Sequence, residues 1–246
     1  MKKLLKISVL VLLVIIACKK ENNSPSSPYN GKTTAVFNSS VTYGTLTDQD
    51  GNVYKTITIG TQTWMAENLR TTKYNDGTAI PKVTGASSWV NLTTGAYCNV
   101  NNTENTDSVA TYGRLYNLYA VNTGKLAPSG WHVPADAEWI ILRSYLGGLG
   151  VAGRKMKEID TTHWIAPNYG ATNESGFTAL PSGLRSYSDG TFSYVGSIAF
   201  YWSSTINYDP YSQVAMVPTL QNSDITVYGW GEVYMVSGFA VRLVKD

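Results

Sequence analysis

The sequence predicts an α+β fold, and three features point to it. Alternating strand-like runs separated by a hairpin signal open the globular part. Two segments near the middle of the chain carry helical spacing. Beyond Gly176 the chain reads as short strands and long loops rich in Gly, Ser, Tyr and Thr.

Taken in order, residues 41–47 and 53–59 alternate Thr, Val, Tyr and Ile as strands do, with the turn signal Asp50-Gly51 between them. Asp48, Asp50 and Asn52 also resemble the start of a calcium loop. Ile59 stands where an EF-hand needs its final glutamate, so the turn reading is preferred. Residues 62–70 form a short amphipathic stretch, and Tyr74-Asn75-Asp76-Gly77 is a further turn. Residues 112–121 place Leu115, Leu118 and Tyr119 at helical spacing, with Gly124 placed to close a helix. Residues 135–146 carry Asp136 and Glu138 in the first turn, where the helix dipole favours acids. Trp139, Leu142, Tyr145 and Leu146 fall on one face, and Gly147-Gly148 ends the segment. No internal repeat of fixed period is present.

The beginning of the chain reads as a secretory leader over 1–17. Lys2, Lys3 and Lys6 precede an apolar run of eleven residues, which ends in Ile15-Ile16-Ala17-Cys18. A bilayer span needs roughly 20 residues, so the run is too short to cross. A cysteine directly after the small residue resembles a bacterial lipobox. That resemblance implies cleavage before Cys18 and lipid on its sulfur and amine; an ordinary signal with an accidental cysteine is the alternative. At about 0.8 kcal/mol per buried methylene, several acyl chains hold a protein on a membrane. Lys19 lacks the aspartate that resembles an inner-membrane retention signal, which favours the outer membrane. Lys19-Lys20-Glu21 resembles the surface-export tethers of Bacteroidetes lipoproteins, which favours the cell surface. Residues 18–40 are assigned to the lipidated cysteine and a disordered tether, with order beginning near Val36, and 41–246 to one domain.

The formal charge is +2, and the three leader lysines exceed it, leaving the rest of the chain at −1. No basic face for nucleic acid is indicated. Charged residues make up only 15% while aromatics reach 12% with 17 tyrosines, so a substantial core and some aromatic surface are both expected. With Cys18 lipidated, Cys98 is the remaining thiol; it reads as a small buried apolar residue, and packing must hold the fold.

A set of peptides stands in order along the chain. Asp50-Gly51-Asn52-Val53-Tyr54 leads to Gln62-Thr63-Trp64-Met65-Ala66-Glu67-Asn68-Leu69-Arg70, and then to Tyr112-Gly113-Arg114-Leu115-Tyr116-Asn117. Gly130-Trp131-His132-Val133-Pro134, Glu138-Trp139, Gly176-Phe177 and Gly183-Leu184-Arg185 follow. Tyr201-Trp202-Ser203-Ser204 and Gly238-Phe239-Ala240-Val241-Arg242 complete it. The set resembles the Fibrobacter succinogenes major paralogous domain family. The resemblance implies a C-type lectin-like fold: two helices on mixed, mostly antiparallel sheets with long C-terminal display loops. It also implies structural roles for Trp64, Trp131, Trp139, Arg185, Trp202 and Arg242, the two arginines as buried cations bonding loop carbonyls or carboxylates.

Chemistry finds little purchase. Nucleophilic catalysis needs a nucleophile, a base and an orienting group. Only His132 and His163 supply imidazole, and Gly-x-Ser-x-Gly is absent. The cysteines that formylglycine-generating relatives use near the C-terminus have no counterpart after Cys98. Two isolated histidines and one thiol do not make a zinc site. The calcium motifs of sugar-binding lectins are missing, leaving Asp189, Asp209 and Asp224 as adventitious cation ligands at most. Glu158 and Asp160 suit a glycosidase only where the fold brings them across a cleft. No catalytic residue, metal site or cofactor is expected.

Residues 206–236 carry the binding expectation. Asn207, Tyr208, Asp209, Tyr211, Gln213, Asn222, Asp224, Tyr228, Trp230, Glu232 and Tyr234 mix aromatic contact area with adaptable polar groups, as antibody loops do. Tyrosines that merely cover a sheet give the same composition. The function expected is a non-enzymatic, lipid-anchored envelope module binding a glycan or protein. A polysaccharide hydrolase, a structural subunit of a surface assembly and a retroelement-diversified receptor are the alternatives.

Overall fold

The computed structural model describes residues 31–209, 212–215, 217–230 and 233–246, with side chains described except at 207–209, 212–215 and 230. The leader, Cys18 and the tether up to residue 30 lie outside the described residues. The elements in chain order are β1 (Gly44–Thr47), β2 (Val53–Ile59), β3 (Gln62–Met65), α1 (Ala86–Val90), β4 (Tyr97–Asn99), α2 (Thr106–Tyr112), β5 (Arg114–Tyr116) and α3 (Leu118–Val121). They continue with β6 (Trp131–His132), α4 (Asp136–Tyr145), α5 (Leu149–Met156), β7 (Leu184–Arg185), β8 (Phe192–Ser193) and β9 (Ile198–Phe200). The last are β10 (Ile206–Asp209), β11 (Ser212–Ala215), β12 (Val217–Gln221), β13 (Val227–Trp230) and β14 (Val244–Lys245). Among the described residues no helix is long and apolar enough to cross a membrane.

The fold is mixed helix and antiparallel sheet. A five-stranded sheet runs β1-β2-β3-β14-β6, a three-stranded sheet runs β13-β12-β9, and three two-stranded sheets pair β4-β5, β7-β8 and β10-β11. The β1–β2 turn works as a turn: Asp48 accepts the N–H groups of Asp50 and Asn52 at 2.9 Å each and the Tyr54 hydroxyl at 2.6 Å. Its carboxylate is therefore already engaged by protein donors.

The helix α4 forms where the amphipathic pattern placed it. Glu138 reaches back to the Ala135 N–H at 2.8 Å, filling one of the donors that a helix start leaves open. The helix expected over 112–121 does not form. Gly113 ends α2 at φ 71°, packed so closely that a Cβ there would lie 2.5 Å from the Asn68 Cβ. The chain then extends as β5 against β4, and Asn117 caps α3 by accepting the Ala120 N–H at 3.0 Å. Leu115 and Leu118 are both fully buried, so the apolar spacing serves two different elements facing the interior. Instead of two helices, five α-helices occur among the described residues.

Residues 31–40, assigned with the tether but with order expected from near Val36, are docked on the domain from Lys32 onward. Asp107 accepts the Lys32 N–H at 2.7 Å, Glu158 accepts the Val36 N–H at 2.6 Å, and the Asn38 amide donates to the Asn173 carbonyl at 3.0 Å. Composition alone hid this docking, because its partners lie far along the chain.

Aromatic packing holds the interior. Trp139 lies 4.7 Å from Trp64 and stacks on Tyr201 at 5.6 Å, with Phe177 at 6.0 Å from all three rings. Each such pair contributes about 0.5–1.5 kcal/mol beyond burial. The C-terminal segment stitches the sheets together: Phe239 exchanges hydrogen bonds with Tyr116, Ala240 bonds Phe200 and Trp202, and Val241 and Leu243 accept the Leu69 and Met65 N–H groups.

Candidate functional site: an aromatic cleft

The hairpin β7–β8 is closed by residues 186–191. Ser186 donates its N–H to Thr191 at 2.8 Å, and Asp189 accepts the Thr191 N–H and hydroxyl at 3.1 and 2.9 Å. Arg185 fixes the hairpin from below. Its guanidinium donates to the Val83 and Thr84 carbonyls at 2.6 Å each and to Gly190 at 3.1 Å, while its backbone exchanges two 2.9 Å bonds with Gly238. The turn presents Tyr187 to solvent at 42% exposure.

Tyr194 follows β8 in the left-handed region at φ 62°. A bulky side chain there costs about 1–3 kcal/mol unless its surroundings compel it. Its carbonyl accepts the N–H groups of Ser197 and Ile198 at 3.0 Å each, which locks the bend. The Tyr194 ring is 54% exposed.

These loops and the three-stranded sheet enclose a cleft of about 300 Å³, walled by Leu184, Val217, Val233, Phe200 and Phe239. Ser186, Ser193 and Ser237 are its remaining lining residues besides Tyr187 and Tyr194, so none of its described lining is charged. Tyr234, 57% exposed, stacks on Tyr187 with ring centres 3.8 Å apart and planes 19° apart. A chain of rings leads inward, Tyr194 to Phe200 at 6.0 Å, Phe200 to Phe239 at 5.3 Å and Phe239 to Trp202 at 4.6 Å.

None of the expected binding residues is among the described lining of this cleft. Asn207, Tyr208, Asp209 and Gln213 belong to the β10–β11 hairpin, where Tyr208 stands opposite Gln213 and Asp209 opposite Ser212. Their side chains lie outside the described residues, as does that of Trp230; Tyr211 and Glu232 lie outside entirely. Of the described candidates Tyr234 comes beside the cleft, through its stack on the lining residue Tyr187. Asn222 and Asp224 sit on the β12–β13 turn, about 16 Å along the strand from Val217 at the extended rise per residue. There the Asn222 amide donates to Ile165 at 3.0 Å and its carbonyl accepts the Tyr169 N–H at 2.6 Å. Asp224 accepts the Tyr228 hydroxyl and the Thr226 N–H, the first bond doing most to hold its carboxyl down at about 2. The buried Lys157 ammonium ties this turn together by donating to the Gln221, Asp224 and Tyr169 carbonyls at 3.0, 2.8 and 3.1 Å. Asn222 and Asp224 thus shape a turn away from the cleft, braced by Tyr228 of β13 and by partners that come from distant parts of the chain.

Tyr187 and Tyr194 escaped the sequence reading. The signal was present: Ser186-Tyr187-Ser188-Asp189-Gly190 has the same aromatic and small-polar mixture that marked 206–236.

A family model for the Fibrobacter succinogenes major domain matches residues 57–245, most of the chain and the whole cleft lining. The chain belongs to this family. No curated protein and no solved structure matches it.

In this Fibrobacter succinogenes major domain both histidines pair with carboxylates. Among the described residues no group of three or more His, Cys, Asp or Glu is placed to hold a metal. His132 bonds Asp246 through Nδ1 at 2.6 Å and Glu138 through Nε2 at 2.9 Å. Burial opposes its charge, but the hydrogen bonds and charges of the two carboxylates outweigh this and raise its pKa. His163 joins the buried Glu158 at 2.8 Å and the Thr34 hydroxyl at 2.9 Å. That chain follows the order of a catalytic triad, yet Thr34 also bonds Thr111 at 3.0 Å and Glu158 also holds Val36, so the cluster fastens residues 31–40 to the domain. Asp160, considered as the partner of Glu158, is exposed while Glu158 is fully buried. Cys98 is fully buried, and burial pushes its thiol up to about 12, which suits packing over reactivity. Trp64, Trp139, Trp202, Arg185 and Arg242 are buried and Trp131 is half-buried. Arg242 donates to Asn68, Met65, Phe177 and Thr178 at 2.6–3.0 Å.

Proposed function

We propose that this domain is a binding module, anchored at a bacterial outer membrane through lipid on Cys18 and exposed at the cell surface. In this reading it offers the cleft of Tyr187, Tyr194 and Tyr234 to a glycan or protein ligand and performs no reaction. The observation that carries the proposal is the pair of exposed, mutually stacked tyrosines at an apolar concavity. Contiguous exposed aromatic surface costs solvation and marks interaction sites in soluble domains. Tyrosines of this kind give large contact area with little entropy to lose. The strained Tyr194 backbone adds support, since such conformations cluster where function demands them. The finer fold assignment, a C-type lectin-like arrangement, belongs to the same reading. It is supported by helices α4 and α5 followed by a final third built of short antiparallel strands and loops.

The test uses cells carrying the full chain or its Tyr187→Ala/Tyr234→Ala form. Display is matched by protease shaving and mass spectrometry, which also reports surface exposure. Cells are then passed over immobilised glycans and immobilised envelope proteins. The parent is expected to be retained and the double variant released. Equal retention of both, or no retention of the parent, overturns the proposal.

A further inference from the structure

We infer that the cleft takes a neutral peptide segment that inserts one aromatic or large aliphatic side chain. This rests on the binding reading above and narrows its ligand to one class.

Size is the first argument. At about 300 Å³ the cleft lies at the lower end of the range for small-ligand sites, about 300–1,000 Å³, which suits a single side chain. Wall chemistry is the second. Leu184, Val217 and Val233 with the Phe200 and Phe239 rings supply apolar contact, and the described lining holds no charged side chain. Within the described lining a charged ligand group would find no charged side chain to offset its lost hydration.

Hydrogen-bonding capacity is the third. A sugar ring carries several hydroxyls, and each one buried without a partner costs about 1–3 kcal/mol. Besides the hydroxyls of Tyr187 and Tyr194, the described lining offers as polar side chains Ser186, Ser193 and Ser237, and Ser186 is already bonded to the Ser188 hydroxyl at 3.0 Å. Amide or carboxylate side chains, which could fix several sugar hydroxyls at once, are missing from the described lining. The tyrosine hydroxyls at the rim suit the N–H and C=O groups of a peptide flanking the inserted side chain.

The full chain in liposomes is titrated with a capped Gly-Gly-Trp-Gly-Gly peptide bearing a fluorinated indole, followed by fluorine NMR. Saturable broadening is expected. An unlabelled Leu peptide should displace the probe, and a Lys peptide should not. Val233→Glu, which sets a carboxylate in the half-buried wall, is expected to weaken binding about tenfold or more. Tyr187→Ala, at an exposed ring, carries the same test if Val233→Glu does not fold. Displacement by the Lys peptide as readily as by the Leu peptide, or unchanged binding in the folded variants, overturns the inference. Cell retention on glycans that depends on Tyr187 and Tyr234, without peptide binding, overturns the peptide class and leaves the binding module standing. Absence of both peptide binding and retention overturns both.

Discussion

Tyr187 and Tyr234, far apart in sequence, stack face to face at 3.8 Å, the first of them lining the cleft. The contact joins the β7–β8 turn to the segment preceding the C-terminal strand. An aromatic pair contributes about 0.5–1.5 kcal/mol, and both rings remain largely wet. Tyr187→Ala is therefore expected to lower stability by about 1 kcal/mol or less in urea denaturation while abolishing ligand retention. A loss of several kcal/mol would recast the stack as structural.

His132 gives a pH-dependent contribution of definite sign. Its pKa in the fold is raised by Asp246 and Glu138 against the opposing effect of burial. Its stabilisation is fully present below the unfolded value of about 6.5 and is lost as pH rises through the raised value. Solvent screening at this half-exposed site keeps the effect small. Urea midpoints of the parent and His132→Gln should differ at pH 6 and converge at pH 9. A gap that widens toward pH 9 would contradict this assignment.

Arg242 is fully buried and satisfies four acceptors from two segments, 65–68 and 177–178. Arg242→Met leaves those oxygens dry, at about 1–3 kcal/mol each. A loss of about 3 kcal/mol or more is expected, with only partial recovery in Arg242→Lys, because an ammonium lacks the planar fork. Full recovery with lysine would show that charge alone suffices.

Glu158 holds the beginning of the domain in place through Val36 and His163. Hydrogen bonds to charged groups contribute about 1.5–3 kcal/mol. Glu158→Leu should speed amide exchange over 31–38 by about tenfold or more while β2 amides stay protected. Unchanged exchange at Val36 would mean that the remaining contacts hold the segment unaided.

Legibility followed the range of the interactions. The strand β2 and the helix α4 could be read because their patterns are local: alternation in one, first-turn acids and a single apolar face in the other. Residues 112–121 could not. Leu115 and Leu118 are buried at helical spacing, but Gly113 turns the chain and β4 captures Arg114–Tyr116 as a strand. The aromatic-polar composition of 206–236 pointed toward Tyr234. It could not separate that ring from Asn222 and Asp224, whose partners Ile165 and Lys157 are remote in sequence.

The sequence by itself determined the family, the α+β class and the positions of the strongest local elements, because short-range periodicity and turn chemistry act within a few residues. Only the tertiary structure decided which tyrosines meet beside the cleft, which acids close on histidines and how residues 31–40 dock on the domain. The Tyr187–Tyr234 stack and the His132–Asp246 bond depend on bringing groups remote in sequence to within 3.8 and 2.6 Å of each other, and chain closure and packing set that proximity, whatever the composition of any one segment.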